Sequence, residues 1–424
     1  TSLAAGVSKK SFRARSPEEI PQIIETAWHL ASNGRPGPVH VEIPMDVLQN
    51  VCNGPALYKT PAPHSRPVMP RKTVAEAVGL LDSASSPVII AGGGSWGAGE
   101  ALSALAEKTG AMVIETCAGK GVVDERNTLC LGARSHFPCV REFLGSSDLI
   151  LAFGTELSPT DLWEKPLPKN GILVQVDLDG ANFHRNGTAD VEIVADADET
   201  ARAMLTSASS NPSRQAANAL RARELKERSR LELPEVTGMG ADLDSMVALV
   251  SALREGIPKE GVLFADMTGP AYVAISEYPA FRPRTFLHPV GFGTLGLALP
   301  AAIGASIAMP SRPVCVLAGD GGFQFTLPEL AVSVQENLPI PIVIWNDGGF
   351  GEIRRNENSR HPGVFIAVDN TPPDFELLAS AYGTGYARPE NAGALAIAVR
   401  NALSASGPTI IECSPEKGSA VNDR

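Results

Sequence analysis

Two aspartates in the last third of the chain follow apolar runs of the kind that form buried strands. Asp320 follows VCVLAG, and Asp347, 27 residues later, follows PIVIWN. A doubly wound sheet binds ligands at the carboxyl ends of its strands, so both carboxylates are expected at one edge of the sheet. Carboxylate and phosphate oxygens suit Mg²⁺, which prefers octahedral oxygen coordination at about 2.0–2.1 Å. The spacing therefore predicts a magnesium site that also takes a phosphate group.

Glycines surround the first of these aspartates. Gly319, Gly321 and Gly322 let the backbone approach a ligand closely, and the helix expected after them offers free N–H groups to a phosphate. A single Gly-Asp-Gly turn is also typical of an ordinary strand-turn-helix unit in which Asp320 caps the helix. The second polar turn, one helix and one strand further on, favours the ligand site.

Strands and helices alternate through most of the chain, which predicts parallel, doubly wound sheets of the α/β class. Frequent glycines and prolines, 40 and 34 in number, mark many short turns between them. A helical pattern lies over 98–110, for example. The runs that indicate strands are PVIIAGGG, AMVIET, DLILAFG and ILVQVDLD in a first sheet, and VLFAD, PVCVLAGDG, PIVIWND and PTIIEC in a second.

The N-terminal region carries signals for a helix, a strand and a linker. Ser16 and Pro17 are typical of an N-cap and a first helical position, and the helix should run over 20–32. Alternating apolar and polar residues over 39–43 predict a strand. Five prolines over 51–70 predict a linker to the first sheet.

Composition narrows the possible partners and compartments. The net charge of −11 argues against nucleic acid, because phosphate binding needs a basic face, and a basic run over 221–230 alternates with glutamate as a solvated helix face does. The six cysteines show no metal-type spacing, which predicts reduced thiols in a cytoplasmic protein. No apolar stretch is long enough to cross a membrane. The chain begins at Thr1 in an apparent loop, so we expect a fragment.

The two polar turns resemble a known cofactor motif. Gly319-Asp320-Gly321, followed after a helix and a strand by Asn346-Asp347, is similar to the motif of thiamine-diphosphate enzymes, in which a paired Asn-Asn follows Gly-Asp-Gly. The resemblance implies thiamine diphosphate and Mg²⁺ as cofactors, with Asp320, Asp347 and the backbone carbonyl of Gly349 as metal ligands. The chain departs from the motif at Asp347, whose extra charge should tighten the metal and slightly oppose the diphosphate.

A second stretch, HPVGFGTLGLALPAAIGA over 288–305, resembles the loop and helix that cup the thiazolium in acetolactate synthases and 2-oxo acid decarboxylases. This implies that the carbonyl of Gly293 accepts a hydrogen bond from the aminopyrimidine and that Leu295 bends the cofactor into a V. A glycine-rich turn before a buried helix is the alternative. The other residues that the resemblance brings to the cofactor are Thr268, Thr294, Gly319, Gly321, Gly322, Phe350 and Gly351.

The resemblance follows the domain order of that family along nearly the whole chain. Residues 1–52 resemble the end of its pyrimidine-binding domain, 68–205 a Rossmann-like middle domain and 241–424 the diphosphate and magnesium domain, with 206–240 as a linker containing one charged helix. The activating glutamate of the family belongs to the earlier part of the pyrimidine-binding domain, so we assign it to no residue and expect the chain alone to be inactive. Each site in the family combines two subunits, which implies a homodimer or homotetramer.

The turn Gly92–Gly97 offers a different cofactor. It follows a strand, precedes a helix and fits the dinucleotide fingerprint, with Glu115 21 residues beyond Gly94. A dehydrogenase that binds a nicotinamide or flavin nucleotide is therefore an alternative. The resemblance identifies this segment with the middle domain, which holds FAD in acetolactate synthases. Those enzymes have an acidic-arginine run where this chain reads GTELSPTD over 154–161, which disfavours FAD and favours a decarboxylase.

Glu352 is the residue that bears most on the substrate. In related enzymes the side chains at the places of Glu352 and Ile353 face the thiazolium, and acetolactate synthases have apolar residues there. We hypothesise that Glu352 binds a cationic substrate tail or acts as an acid or base; a surface pair with Arg355 is the alternative. The pattern resembles decarboxylases of 5-guanidino-2-oxopentanoate, whose guanidinium suits a carboxylate. His288 and His361 are the histidines nearest to the site in sequence and are further candidates for substrate contact.

The sequence thus predicts a decarboxylase of a small-molecule 2-oxo acid that depends on thiamine diphosphate and Mg²⁺. Carboligation of pyruvate, as in acetolactate synthases, stays open because pocket residues decide the fate of the decarboxylated intermediate. A catalytically silent protein that keeps the fold for assembly or regulation is the third possibility. The intact Asp320, Asp347 and glycine turns argue against it.

Overall fold

The computed structural model describes residues 2–52, 66–163 and 166–415. Its N-terminal elements are α1 (Ser2–Ala5), β1 (Lys10–Arg13), α2 (Ile20–Ser32), β2 (Val39–Glu42) and α3 (Met45–Gln49). β1 and β2 pair in parallel. The predicted helix and strand are confirmed, but Ser16 makes no side-chain capping bond, and a 3₁₀ turn over Pro17–Glu19 precedes the helix. Most of the predicted proline-rich linker lies outside the described residues.

The middle domain is built on a five-stranded parallel sheet. Its strands are β3 (Pro87–Ala91), β4 (Met112–Glu115), β5 (Leu149–Phe153), β6 (Ile172–Asp177) and β7 (Val191–Val194). They lie in the order β4-β3-β5-β6-β7, as in a doubly wound fold. Every residue of β3, β4 and β5 is buried, as expected where helices cover both faces of a parallel sheet. The edge strand β7 was not predicted, because it is short and only one of its residues is buried.

Five helices accompany this sheet. They are α4 (Arg71–Ser83), α5 (Gly99–Thr109), α6 (Pro138–Ser146), α7 (Pro159–Leu162) and α8 (Ala197–Ser207). Gly110 ends α5 in the left-handed conformation with φ of 72°, which glycine adopts at low cost. The Asp196 side chain starts α8 by accepting bonds from the N–H groups of Asp198 and Glu199.

Between the domains runs one 26-residue helix, α9 (Pro212–Thr237), where the sequence predicted a linker with a single charged helix. The Asn211 side chain caps its start and Gly238 ends it in the left-handed conformation. Its charged residues are largely exposed, but Ala222, Leu225 and Ser229 are buried. The helix therefore packs as part of the fold and is more than a spacer.

A second parallel sheet forms the C-terminal domain. Its strands are β8 (Val262–Ala265), β9 (Phe286–Leu287), β10 (Val314–Gly319), β11 (Pro341–Trp345), β12 (Gly385–Ala387) and β13 (Thr409–Cys413). They lie in the order β12-β13-β11-β10-β8-β9. The register aligns Gly319 at the end of β10 with Trp345 at the end of β11. Asp320 and Asn346, which directly follow these two strands, therefore lie at the same edge of the sheet. This is the geometry that the sequence predicted for a ligand site.

Helices cover both faces of this sheet as well. They are α10 (Leu243–Gly256), α11 (Gly269–Glu277), α12 (Ala298–Ala308), α13 (Asp320–Gln324), α14 (Leu330–Gln335), α15 (Gly351–Arg360), α16 (Phe375–Tyr382) and α17 (Ala392–Ala402). The two doubly wound sheets confirm the predicted α/β class. Among the described residues, no helix has the length and apolar character needed to span a membrane.

Polar contacts join the two domains at a buried junction. Lys120, which has no exposed surface, forms an ion pair with Glu125 at 2.5 Å between Nζ and Oε1. The same Oε1 accepts a hydrogen bond of 3.1 Å from the backbone N–H of Ala280 in the C-terminal domain. Nearby, Arg134 and Glu277 form a second ion pair at 2.6 Å. These contacts connect the middle domain to the end of α11 and to the segment that follows it.

Candidate active site

The turns that follow β10 and β11 bring Asp320 and Asp347 together. Asp320 is fully buried, and neither of its carboxylate oxygens has a hydrogen-bond partner within the described structure. Burial, followed by the charge of Asp347, raises the pKa of Asp320 to about 7. Burial likewise raises the pKa of Asp347 to about 6, against the opposing effect of Arg355. Two carboxylates in such a place are costly without a cation to pair with them.

Glycines keep the space around Asp347 open. A Cβ atom on Gly351 would lie 2.2 Å from Oδ2 of Asp347, far inside contact distance. Gly349 has φ of 157°, and a Cβ atom there would lie 2.2 Å from the carbonyl oxygen of Val368. The turn therefore accepts no side chain at Gly349, and a side chain at Gly351 would have to displace the carboxylate of Asp347.

Neighbouring residues also enclose the first glycine turn. A Cβ atom on Gly319 would lie 3.1 Å from Oγ1 of Thr268, and one on Gly321 would lie 2.8 Å from the ring of Phe350. Thr268 thus lies beside the turn from the end of β8, and Phe350 packs onto it from the second turn. The structure brings these sequence-predicted residues together around Asp320.

The loop over 288–297 reaches the same place and is held by Asp266, which lies two residues before Thr268 in a segment that the sequence places beside the diphosphate. Asp266, buried at the end of β8, accepts hydrogen bonds of 2.9 and 2.8 Å from the backbone N–H groups of Met267 and Gly296. Thr326 donates to the carbonyl of Gly296 at 2.9 Å. The signal for Asp266 was its position directly after the apolar run VLFA.

The three predicted loop residues differ in burial. Gly293, with φ of 68°, is exposed, as is Thr294. Leu295 is half-buried, and its Cδ2 atom would lie 3.4 Å from a Cβ atom on Gly322. The loop therefore presents an apolar side chain toward the glycine turn and an open backbone toward solvent.

Glu352 lies in the first turn of α15 with partners on the same helix. Its Oε2 accepts hydrogen bonds from Arg355 Nη2 at 2.8 Å and Nε at 3.2 Å, and its Oε1 accepts one from Asn356 at 3.0 Å. Burial, followed by the Glu352 carboxylate, raises the pKa of Tyr272 to about 12. The pair with Arg355 is the alternative that the sequence offered, and it leaves the carboxylate half-exposed beside the site.

The two candidate histidines lie in different surroundings. His288 is hydrogen-bonded through Nδ1 to the carbonyl oxygen of Ala265 at 3.0 Å, and burial lowers its pKa to about 4. Its ring packs edge-on against Tyr272. His361 is exposed just after α15. His288 thus packs at the start of the loop over 288–297 as a neutral residue.

A cavity of about 580 Å³ lies at the carboxyl edge of the middle domain's sheet, and residues of the N-terminal segment and of the loop over 288–297 also line it. Gly93, Gly94 and Gly154 line it where the chain leaves β3 and β5, the position at which doubly wound sheets bind ligands. Glu115 does not line it: this carboxyl group is buried, accepts a hydrogen bond of 2.9 Å from the N–H of Val123, and has a pKa raised by burial. Glu115 is therefore not exposed to this cavity as the carboxylate of a dinucleotide fingerprint would be.

Acidic residues other than Glu115 do line this cavity. Asp177, at the end of β6, and Glu156 line it. Glu156 forms ion pairs with Arg35 of the N-terminal segment and with Arg185, the latter at 2.8 Å. The stretch over 154–161 differs from the acidic-arginine run that the sequence comparison with acetolactate synthases called for. It contributes Glu156, which is paired with arginines from other parts of the chain.

The donor set at Asp320 fits a cation shared with a ligand. Within the described parts of the chain, no three His, Cys, Asp or Glu side chains meet as a metal site. Two carboxylates leave most positions of an octahedral ion to backbone carbonyls, water or phosphate oxygens. The unpartnered oxygens of Asp320 and the open glycine turns agree with Mg²⁺ bound between the protein and a diphosphate.

The structure combines two doubly wound domains, and one of them has paired carboxylates at the edge of its sheet. This combination is typical of a class of cofactor-dependent enzymes. Residues 268–413 match the C-terminal TPP-binding domain of thiamine pyrophosphate enzymes, and residues 74–204 match their central domain. The chain belongs to the thiamine pyrophosphate enzyme family; thiamine pyrophosphate is another name for thiamine diphosphate.

Individual relatives agree with this assignment. A probable 2-ketoarginine decarboxylase of Pseudomonas aeruginosa is 34% identical over 97% of this chain and 72% of its own length. A probable acetolactate synthase large subunit of Methanococcus aeolicus is 27% identical over 98% of this chain and 73% of its own. The large subunit of acetolactate synthase isozyme 1 of Escherichia coli is 25% identical over 96% and 72%, respectively.

Proposed function

We propose that this protein is a decarboxylase of a 2-oxo acid that depends on thiamine diphosphate and Mg²⁺, with 5-guanidino-2-oxopentanoate (2-ketoarginine) as its substrate. The observation that carries the cofactor assignment is the buried, unpartnered carboxylate of Asp320 beside Asp347. The substrate assignment is supported by the 34% identity to a probable 2-ketoarginine decarboxylase. Decarboxylation releases CO₂ and leaves a proton in its place, which yields an aldehyde one carbon shorter.

Each part of the site has a task in this proposal. Asp320, Asp347 and the carbonyl of Gly349 would hold Mg²⁺, whose charge would offset that of the two carboxylates. When bound, thiamine diphosphate would supply an electron sink for the electrons left behind by CO₂. Leu295 would provide an apolar wedge, and the carbonyl of Gly293 would be the hydrogen-bond acceptor for the aminopyrimidine.

Replacement of Gly351 by alanine tests the open space beside Asp347. The new Cβ atom would lie 2.2 Å from Oδ2, so the carboxylate must move and the metal loses a ligand position. We expect the Mg²⁺ concentration for half-maximal cofactor binding to rise about tenfold, or ~1.4 kcal/mol, in a calorimetric titration. Gly304→Ala is the matched control, because open space surrounds that helical glycine. An unchanged Mg²⁺ requirement in Gly351→Ala would contradict the assignment of Asp347.

The substrate proposal rests on Glu352. Its carboxylate is half-exposed next to the second turn, with Arg355 bonded to one oxygen and Asn356 to the other. A guanidinium forms short, paired hydrogen bonds with a carboxylate, so a substrate tail would exchange with Arg355 or add to the pair. A 2-oxo acid with an apolar tail gains nothing from this group.

Release of CO₂ from a panel of 2-oxo acids tests the function. The full-length protein with thiamine diphosphate and Mg²⁺ should prefer 5-guanidino-2-oxopentanoate over pyruvate, with no need for added FAD. Conversion of pyruvate to acetolactate, the reaction class of two of the relatives above, would support the carboligase alternative instead. Tight cofactor binding without turnover of any acid would support the catalytically silent protein.

Glu352→Gln should reduce the preference for the guanidino acid over pyruvate about tenfold, since charge-assisted hydrogen bonds are roughly twice as strong as neutral ones. The ratio of the two kcat/KM values measures it. Glu376→Gln, an exposed site on α16, serves as control. The same preference in Glu352→Gln and wild type would refute a recognition role for Glu352 and leave the cofactor assignment intact.

We also propose a cytoplasmic homodimer or homotetramer that acts on small molecules, without a nucleic-acid or membrane partner. The large apolar side chains Phe292, Phe325 and Ile353 are exposed around the site, which supports a covering subunit surface. The proposal includes no flavin, and added FAD should leave the rate of CO₂ release unchanged.

A further inference from the structure

A buried glutamate on the last strand of the C-terminal sheet is hydrogen-bonded to the turn that carries Asp347. Glu412, 7% exposed on β13, accepts a hydrogen bond of 2.8 Å at Oε1 from the side-chain amide of Asn346. Its other oxygen, Oε2, accepts one of 2.7 Å from the hydroxyl of Tyr386 on β12. The network therefore extends from the edge strand of the sheet to the residue directly before Asp347.

The hydroxyl of Tyr386 remains a hydrogen-bond donor to Glu412 because it resists deprotonation. Burial, followed by the hydrogen bond to Glu412, raises the pKa of its hydroxyl to about 12. The phenol therefore keeps its proton at neutral pH and orients one oxygen of the carboxylate. The other oxygen is then free to orient Asn346.

The turn after Asn346 contains two glycines, so its conformation depends on how its two ends are held. Gly348 and Gly349 have φ values of 79° and 157°, in regions that carry little conformational restraint for glycine. At the far end of the turn, the N–H of Phe350 donates to the carbonyl of Val368 at 2.9 Å. At the near end, the N–H of Asn346 donates to the carbonyl of Cys413 at 2.7 Å, and its side chain is held by Glu412. Asp347 and the carbonyl of Gly349 lie between these two anchors.

We propose that Glu412, oriented by Tyr386, is a positioning residue that fixes the metal-binding turn through the side chain of Asn346. This inference rests on the proposed function, because it assigns Asp347 and the Gly349 carbonyl to Mg²⁺. Residues that orient metal ligands from behind typically change metal affinity by about 10–100-fold when they are replaced. Glu412 and Tyr386 are 66 and 40 residues from Asn346, so only the order β12-β13-β11 brings them together.

Calorimetric titration of thiamine diphosphate into the full-length protein over a series of Mg²⁺ concentrations tests the proposal. Glu412→Ala should raise the Mg²⁺ concentration for half-maximal binding about tenfold, and Tyr386→Phe by a smaller factor of about threefold. Glu412→Gln should fall between wild type and Glu412→Ala, because an amide can still bridge Asn346 and Tyr386. At saturating Mg²⁺ and cofactor, kcat should stay within about twofold of wild type in Tyr386→Phe, since the network does not touch the substrate.

Ile411→Val separates positioning from simple loosening of the strand. Ile411 is fully buried on β13 and points to the opposite face of the sheet from Glu412, so this change loosens the same strand away from the network. It should lower the melting temperature without changing the Mg²⁺ requirement. The positioning role is overturned if Tyr386→Phe and Glu412→Gln keep the wild-type Mg²⁺ requirement while the wild type itself binds in a Mg²⁺-dependent manner. If the wild type shows no Mg²⁺-dependent binding, the proposed function fails as well.

Discussion

Asp320→Asn should abolish Mg²⁺-dependent binding of thiamine diphosphate and should also raise the melting temperature of the cofactor-free protein. Both effects have one cause, the fully buried carboxylate without a hydrogen-bond partner. An unsatisfied buried polar group costs about 1–3 kcal/mol, and a charged one costs more. The neutral amide has nearly the same shape and is cheaper to bury. For a domain of this size each kcal/mol corresponds to about 2–4 °C, so we expect an increase of about 2–6 °C.

Scanning calorimetry with and without Mg²⁺ and thiamine diphosphate measures both effects. The wild type should gain stability when both are added, because a ligand that binds only the folded state stabilises it. Asp320→Asn should gain nothing measurable. Asp244→Asn, at an exposed position in α10, is the control and should respond as the wild type does. An Asp320→Asn variant that is still stabilised by Mg²⁺ and cofactor would remove Asp320 from the metal site.

Lys120→Met should lower the free energy of unfolding by about 3–5 kcal/mol, the usual cost of breaking a buried ion pair from one side. The lysine has no exposed surface, and its removal leaves the carboxylate of Glu125 buried at the domain junction. The backbone N–H of Ala280 still donates to Glu125, but one hydrogen bond does not compensate for the lost charge. A second buried acid, Glu115, lies at the same junction, where burial, followed by the charge of Glu125, raises its pKa.

Urea unfolding of single and double variants distinguishes the pair from the packing around it. Lys120→Met/Glu125→Gln should recover much of the stability lost in Lys120→Met, because the unpaired charge is gone. Lys72→Met, at an exposed position in α4, should change the midpoint little. If the double variant is as unstable as the sum of the two single variants, the ion pair does not account for the stability of this junction.

Local pattern was sufficient for the elements that build the candidate site. The apolar runs before Asp320 and Asp347 form adjacent strands, and their register brings the two carboxylates to one edge, as the 27-residue spacing predicted. Glu352 illustrates the same point, because its partner Arg355 is three residues away and was anticipated as the alternative to substrate binding. Interactions along one turn or one βα unit can be predicted from the chain itself.

Contacts that depend on the order of strands could not be predicted in this way. The bond from Gly296 to Asp266 and the bond from Asn346 to Glu412 span 30 and 66 residues. Hydrophobic periodicity gives the faces of strands but not their neighbours, so neither partner could be chosen from the sequence. The short β12, which contributes Tyr386, was missed for a related reason: none of its residues is fully buried, and its pattern is weak.

Calorimetric titration of thiamine diphosphate into the full-length wild-type protein, with Mg²⁺ and then with a chelator, tests the central claim most directly. We predict saturable binding at one cofactor per chain with Mg²⁺ and its loss when the metal is removed, because Asp320 and Asp347 repel a diphosphate unless a cation lies between them. Binding of equal strength with and without the metal, or no binding in either condition, would contradict the proposed site.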